Sequence, residues 1–111
     1  MEEAQRRVCE RYGANFMAAC DLVNSGYAAE TEGQQPINGL RHTVTDSTTG
    51  WYIWCGENYS TDRDFFKPVH TRHLYEGCSQ ISELLGLPPG YRFLVAEGYV
   101  DVWFDSSLLA E

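Results

Sequence analysis

Tyr91-Arg92-Phe93-Leu94-Val95-Ala96-Glu97-Gly98-Tyr99-Val100-Asp101-Val102-Trp103-Phe104-Asp105 carries the sharpest local signal in the chain. Two runs rich in aromatic and β-branched residues flank Glu97-Gly98. That pattern reads as a β-hairpin closed by a two-residue turn. The turn sets the register: 95 opposite 100, 93 opposite 102, and 91 opposite 104. Tyr91, Phe93, Val95, Val100, Val102 and Phe104 then share one wholly apolar face. The other face carries Arg92 opposite Trp103, Leu94 opposite Asp101, and Ala96 opposite Tyr99. One face is core, and the other mixes aromatic rings with charge.

Upstream of the hairpin, Leu74, Cys78, Ile81 and Leu85 recur at helical spacing. This predicts a helix over 71–85, stopped by Gly86 and Pro88-Pro89. Further back, Trp51-Tyr52-Ile53-Trp54-Cys55-Gly56 is apolar on both faces and predicts a central strand covered on both sides. Residues 37–44 are its expected partner strand, with 46–50 as the turn between them. The stretch from Ala28 to Asn38 is the most loop-like. Residues 4–25 place Val8, Tyr12, Phe16, Ala19 and Val23 on one stripe, which predicts a helix ended by Gly26. Gly13 is a candidate break within it. The expected class is α+β: a single domain over 1–111, an antiparallel sheet with a C-terminal β-hairpin, and two or three helices packed on it. Residues 1–27 form its helical N-terminal part, too short for a second domain.

The 111 residues are 43% apolar and 14% aromatic, enough for a packed core rather than a disordered chain. Sixteen acids against eight bases leave a net charge of −8. That balance opposes phosphate binding and suits docking on a basic partner. The opening Met1-Glu2-Glu3 is the reverse of a basic export signal, and no run approaches the length of a membrane span. The expectation is a cytoplasmic protein with no membrane or nucleic-acid partner. Cys9, Cys20, Cys55 and Cys78 form no paired motif and are expected as reduced, mostly buried thiols.

Catalytic chemistry finds little to stand on. His70 and His73 could both face one side of a helix start, but a zinc site needs three or four ligands, and no spacing obliges His42, Glu76 or Cys78 to join them. Cys55 sits in an apolar strand, where thiols are inert. Gly86-Leu87-Pro88-Pro89-Gly90 lacks the backbone donors of a phosphate loop. No cofactor, metal or enzymatic activity is expected. A small metal-dependent hydrolase and a generic adaptor domain are the rival readings. Glu57, Asp62 and Asp64 follow the Trp-rich strand, while Asp101 and Asp105 line the last one. With Tyr59, Tyr99 and Trp103 among them, they resemble an interface in which aromatic anchors sit amid charge. Whether the outer face of the hairpin is covered stays open. If it is, Asp101 needs a partner, and Arg92 lies diagonally across.

Several blocks carry a family resemblance. They are Pro36-Ile37-Asn38-Gly39-Leu40-Arg41-His42, Gly50-Trp51-Tyr52-Ile53-Trp54-Cys55-Gly56-Glu57, Asp64-Phe65-Phe66-Lys67-Pro68-Val69-His70 with His73-Leu74, Leu85 to Leu94, and Gly98-Tyr99 with Asp101 to Asp105. Together, over residues 36–109, they resemble the small immunity proteins of family 33. These are encoded beside toxins in bacterial polymorphic-toxin and interbacterial competition systems. Cys55 departs from the small residue expected there, and nothing in the N-terminal stretch carries the likeness. The resemblance implies a non-enzymatic inhibitor that binds a cognate protein toxin. An acidic inhibitor suits a basic target such as a nuclease. Glu57, Asp62, Asp64, Tyr99, Asp101, Trp103 and Asp105 are the expected contact residues.

Overall fold

The computed structural model describes residues 2–60, 62 and 64–109. Met1, Thr61, Arg63, Ala110 and Glu111, which the 1–111 expectation includes, lie outside the described residues. The fold is α+β. Helix α1 (Glu2–Tyr12) and helix α2 (Thr71–Gly77) accompany six strands: β1 (Asn24–Tyr27), β2 (Ile37–Arg41), β3 (Thr48–Cys55), β4 (Lys67–His70), β5 (Tyr91–Ala96) and β6 (Tyr99–Phe104). They form one sheet in the order β4-β1-β3-β2-β5-β6. Among the described residues no helix is long and apolar enough to cross a membrane.

The hairpin forms in the expected register, Tyr91 opposite Phe104 through Ala96 opposite Tyr99. β2 pairs with β3 antiparallel, also as expected, and β3 is buried along nearly its whole length. Strand β3 begins at Thr48, earlier than expected, and the turn before it closes through Thr45 N–H to Thr48 O at 3.1 Å. The sheet is mixed rather than antiparallel throughout, because β1 runs parallel to β3. The chain leaves β1, crosses to form β2 and returns as β3 between them. A crossover of that length is what a parallel pair needs.

The inner face of the sheet carries the main core. Trp51 and Phe93 are buried with ring centroids 5.4 Å apart, Ile53 and Leu74 are equally buried, and Val102 packs at the margin. α1 and the segment 78–87 cover this face.

Two expected helices are shorter than their apolar periodicity. α1 ends at Gly13, whose φ of +67° is the left-handed conformation of a helix terminus. Ala14 N–H reaches Cys9 O at 2.8 Å and Gly13 N–H reaches Glu10 O, the paired bonds of a Schellman cap. Beyond it no second helix forms, because remote side chains take the carbonyls that a helix would use. Arg41 Nη1 donates to Met17 O (2.8 Å), Arg41 Nη2 to Ala18 O (3.1 Å), and Tyr75 Oη to Ala19 O (2.7 Å). The stripe residue Ala19 is still buried and Phe16 still packs on the core, but from an irregular segment that leads into β1. α2 likewise stops at Gly77, and tight turns continue to Leu87. Ser82 O accepts from Gln5 (3.0 Å), Leu85 O from the Trp51 indole N–H (2.9 Å), and Leu87 O from Arg41 (2.8 Å). Ile81, Leu84, Leu85 and Leu87 all point inward without a continuous helix.

Arg41 joins these segments. It is fully buried, and its guanidinium also donates to Thr49 O (2.8 Å). All four of its hydrogen bonds go to backbone carbonyls. Burial lowers its pKa to about 10, so it remains a cation at neutral pH.

Candidate functional site

The outer face of the sheet holds the residues singled out for recognition. Side chains alternate across a strand, so the register places Tyr52, Leu40, Arg92 and Trp103 in one row. Trp54, Asn38, Leu94 and Asp101 make the next row. The β3 side of this face is covered. The loop after β3 lays Tyr59, Phe65 and Phe66 over Trp54 and Tyr52, with Tyr59 and Phe66 centroids 5.0 and 6.1 Å from Trp54. A short 3-10 turn, Ser106–Leu109, inserts Leu108 beside Leu40 and Trp54. His42 lies between, with Nδ1 3.2 Å from Leu108 O and its ring edge-on to Tyr52. A cavity of about 460 Å³ opens here, lined by Leu40, His42, Trp54, Tyr59, Arg92 and Asp105 among others.

The β6 side is uncovered. Tyr99, Asp101 and Trp103 are exposed at alternate positions of one strand, so they form a continuous row. Asp105 extends it but is engaged. Ser107 donates to it through its hydroxyl (2.6 Å) and its backbone N–H (3.0 Å), and Arg92 Nη1 lies 3.2 Å away. These donors hold the Asp105 carboxyl below the usual carboxylate range, the Ser107 bonds contributing most. The Arg92–Asp101 pair considered for a covered face does not form. Arg92 takes the other diagonal neighbour, whose carboxylate the Ser107 turn already orients, and stacks on Trp103 with its guanidinium carbon 5.6 Å from the ring. Among the described residues Asp101 is exposed with no ion-pair partner, and Arg92 Nε is buried with no hydrogen-bond partner.

The loop acids form a separate group. Glu57 is exposed just beyond β3. Asp62 Oδ1 accepts from Asp64 N–H (3.0 Å), and Asp64 lies 3.8 Å from Lys67, so both help shape their own loop. β3 and β6 are three strand spacings apart, about 14 Å. The structure thus places Tyr99, Asp101, Trp103 and Asp105 together, and Glu57, Asp62 and Asp64 apart from them. Sequence reasoning missed the turn carrying Leu108 and the cavity beneath it. Asp105 followed by Ser106-Ser107-Leu108 is the signal that could have found them, since Asp is a preferred residue at the start of a helical turn.

His70 and His73 stack with centroids 6.2 Å apart on the exposed start of α2. His42 packs elsewhere, against Tyr52 and Leu108. Among the described residues, no three His, Cys, Asp or Glu side chains are grouped to hold a metal ion.

No curated protein and no solved structure matches this chain. The family model of the Imm33-like domain does match, over residues 4–105. That span runs from α1 to the end of β6 and so takes in the N-terminal segment that the resemblance over 36–109 left out. With nearly the whole length covered, the chain belongs to the Imm33-like domain family.

Proposed function

We propose that this chain is an immunity protein that neutralises a cognate bacterial toxin in the cytoplasm by stoichiometric protein–protein binding, without catalysis. Membership of the Imm33-like family carries the reading. The exposed row Tyr99, Asp101 and Trp103, with Asp105 at its end, supports it as a contact surface. A Trp and a Tyr beside an exposed carboxylate combine apolar anchors with charge. The net charge of −8 favours a basic toxin, such as a nuclease, by speeding encounter. Glu57, Asp62 and Asp64 supply a second, flanking contact in this reading.

Capture on the tagged chain in its native cell, followed by mass spectrometry, identifies the toxin, and co-expression then measures protection. Asp101→Lys and the double variant Asp62→Lys/Asp64→Lys should fold like the parent yet bind more weakly. Like-charge juxtaposition across an interface costs several kcal/mol. Two folded variants that bind and protect as well as the parent would remove both acidic groups from the interface.

A further inference from the structure

The two edges of the sheet are built differently. The β4 edge is four residues long and carries Lys67 and Pro68, features that discourage strand pairing. The β6 edge is six residues long with neither Lys nor Pro, and Asp101 is its only charge. In a hairpin closed by two residues, the residues flanking the turn exchange hydrogen bonds, and the bonded pairs alternate from there. Asp105 N–H to Gly90 O at 2.7 Å fits that alternation. The backbones of Tyr99, Asp101 and Trp103 therefore face β5. Those of Val100, Val102 and Phe104 point out from the sheet, where no strand pairs with them among the described residues.

The side chains along this edge match its open backbone. Val100 and Phe104 are each 52% exposed on the inner side, Phe104 leaning on Tyr91 at 5.3 Å. Tyr99, Asp101 and Trp103 stand on the outer side. A strand added here would set alternate side chains beside Val100, Val102 and Phe104, and the others beside Tyr99, Asp101 and Trp103. The first set must be apolar. The second set is best served by Lys or Arg, which can pair with Asp101 and lay an apolar stem along the aromatic rings. A second copy of this chain is a poor occupant, because each copy brings eight net negative charges.

We propose that the free edge of β6 accepts an extended, alternately apolar and basic segment of the partner protein by strand addition. This deepens, and rests on, the toxin-binding reading above. Backbone hydrogen bonds supply the affinity of such a contact, and alternate side chains supply its selectivity.

The probe is an acetylated, amidated octapeptide of alternating valine and lysine, with its valine–glutamate counterpart as control. Amide hydrogen exchange by NMR is read on the full chain. The basic peptide should slow exchange at Val100, Val102 and Phe104 by about tenfold or more, and the acidic one should not. Val100→Pro deletes one outward N–H while sparing the bonds to β5, and should abolish the response; Val100→Thr should keep it. Asp101→Lys leaves every backbone group in place and should reverse the preference between the two peptides. No slowing at these three amides, equal slowing by both peptides, or slowing confined to other strands overturns the proposal. Concentration-dependent protection of the same amides without peptide assigns the edge to a second copy and also overturns it. A folded Val100→Pro variant that loses the peptide but protects fully against the toxin would sink the edge and leave the toxin reading standing. A parent chain that takes up the peptide at β6 but gives no protection would do the opposite.

Discussion

Arg41 shows how much one side chain can organise. A buried cation is costly unless its donors are satisfied, and here four bonds to carbonyls of three separate segments satisfy them. Lysine has the charge but not the planar fork. Arg41→Lys should therefore destabilise by at least about 2 kcal/mol, because it strands buried carbonyls that Arg41 now serves. A urea midpoint equal to the parent's would contradict this. Trp51 pairs with Arg41 across the β2–β3 ladder, lies 5.6 Å beneath its guanidinium, and donates its indole N–H to Leu85 O. Trp51→Ala should cost about 3–5 kcal/mol, as large core truncations do. An unchanged melting temperature would show that the core does not depend on it. The thiols make a third test at this scale. Cys9 and Cys55 are buried and Cys78 half-buried, burial raising the pKa of each, whereas Cys20 is exposed. Cys20 should react first with a thiol reagent. All four should titrate as free thiols after denaturation without reductant; finding only two would reveal a disulfide.

At the scale of elements, local pattern and remote contacts compete. The hairpin keeps its register because a two-residue turn and alternating side chains favour the same pairing. β3 passes through Gly50 with φ at +90°, where a Cβ would run into the His42 carbonyl. Gly50→Ala should therefore lower stability by about 1–3 kcal/mol through strain and overlap. Thermal denaturation checks it. The C-terminal 3-10 turn depends on ionised Asp105. A carboxyl whose pKa is lowered by folding contributes stability above its unfolded value, here 3.8, and loses it as pH falls through the lower native value. The turn holding Leu108 should consequently loosen below about pH 4, seen as a fall in the protection factors of the Ser107 and Leu108 amides relative to their intrinsic exchange rates. Asp105→Asn should remove that pH dependence. Identical acid profiles for parent and variant would sink the assignment.

For the whole molecule, the sheet separates two jobs. Its inner face is sealed by α1 and the 78–87 segment around Trp51 and Phe93, and opens only toward β6, where Val100 and Phe104 are exposed. Its outer face is only half covered, by the aromatic loop after β3 and by Leu108, and stays open along β6. A net charge of −8 acts over the whole surface. If a basic toxin is the partner, its association rate should fall as salt rises, because screening shortens the reach of steering to about 8 Å at physiological ionic strength. Dissociation should change much less. Stopped-flow mixing across a salt series measures both, and a salt-independent association rate would remove electrostatic steering from the account.

By itself, the sequence determined the features whose causes are local. The Glu97-Gly98 turn and the alternation on either side of it specify the β5–β6 register. The apolar run around Trp51 specifies a buried central strand, and the resemblance over residues 36–109 pointed to the family. Only the tertiary structure decided where helical periodicity stops being a helix. Residues 14–23 and 78–87 keep their apolar spacing, yet Arg41, Tyr75, Gln5 and Trp51 take backbone carbonyls there from distant points in the chain. β1 and β4 were illegible for the same reason. Each is four residues long, and β1 is held by β3, by β4 and by hydrogen bonds from Ser25 to Thr49 and Thr71. The candidate site divides along the same line. Alternation alone placed Tyr99, Asp101 and Trp103 on one face. Folding decided that Arg92 would bind Asp105 rather than Asp101, because the Ser107 turn had already oriented that carboxylate.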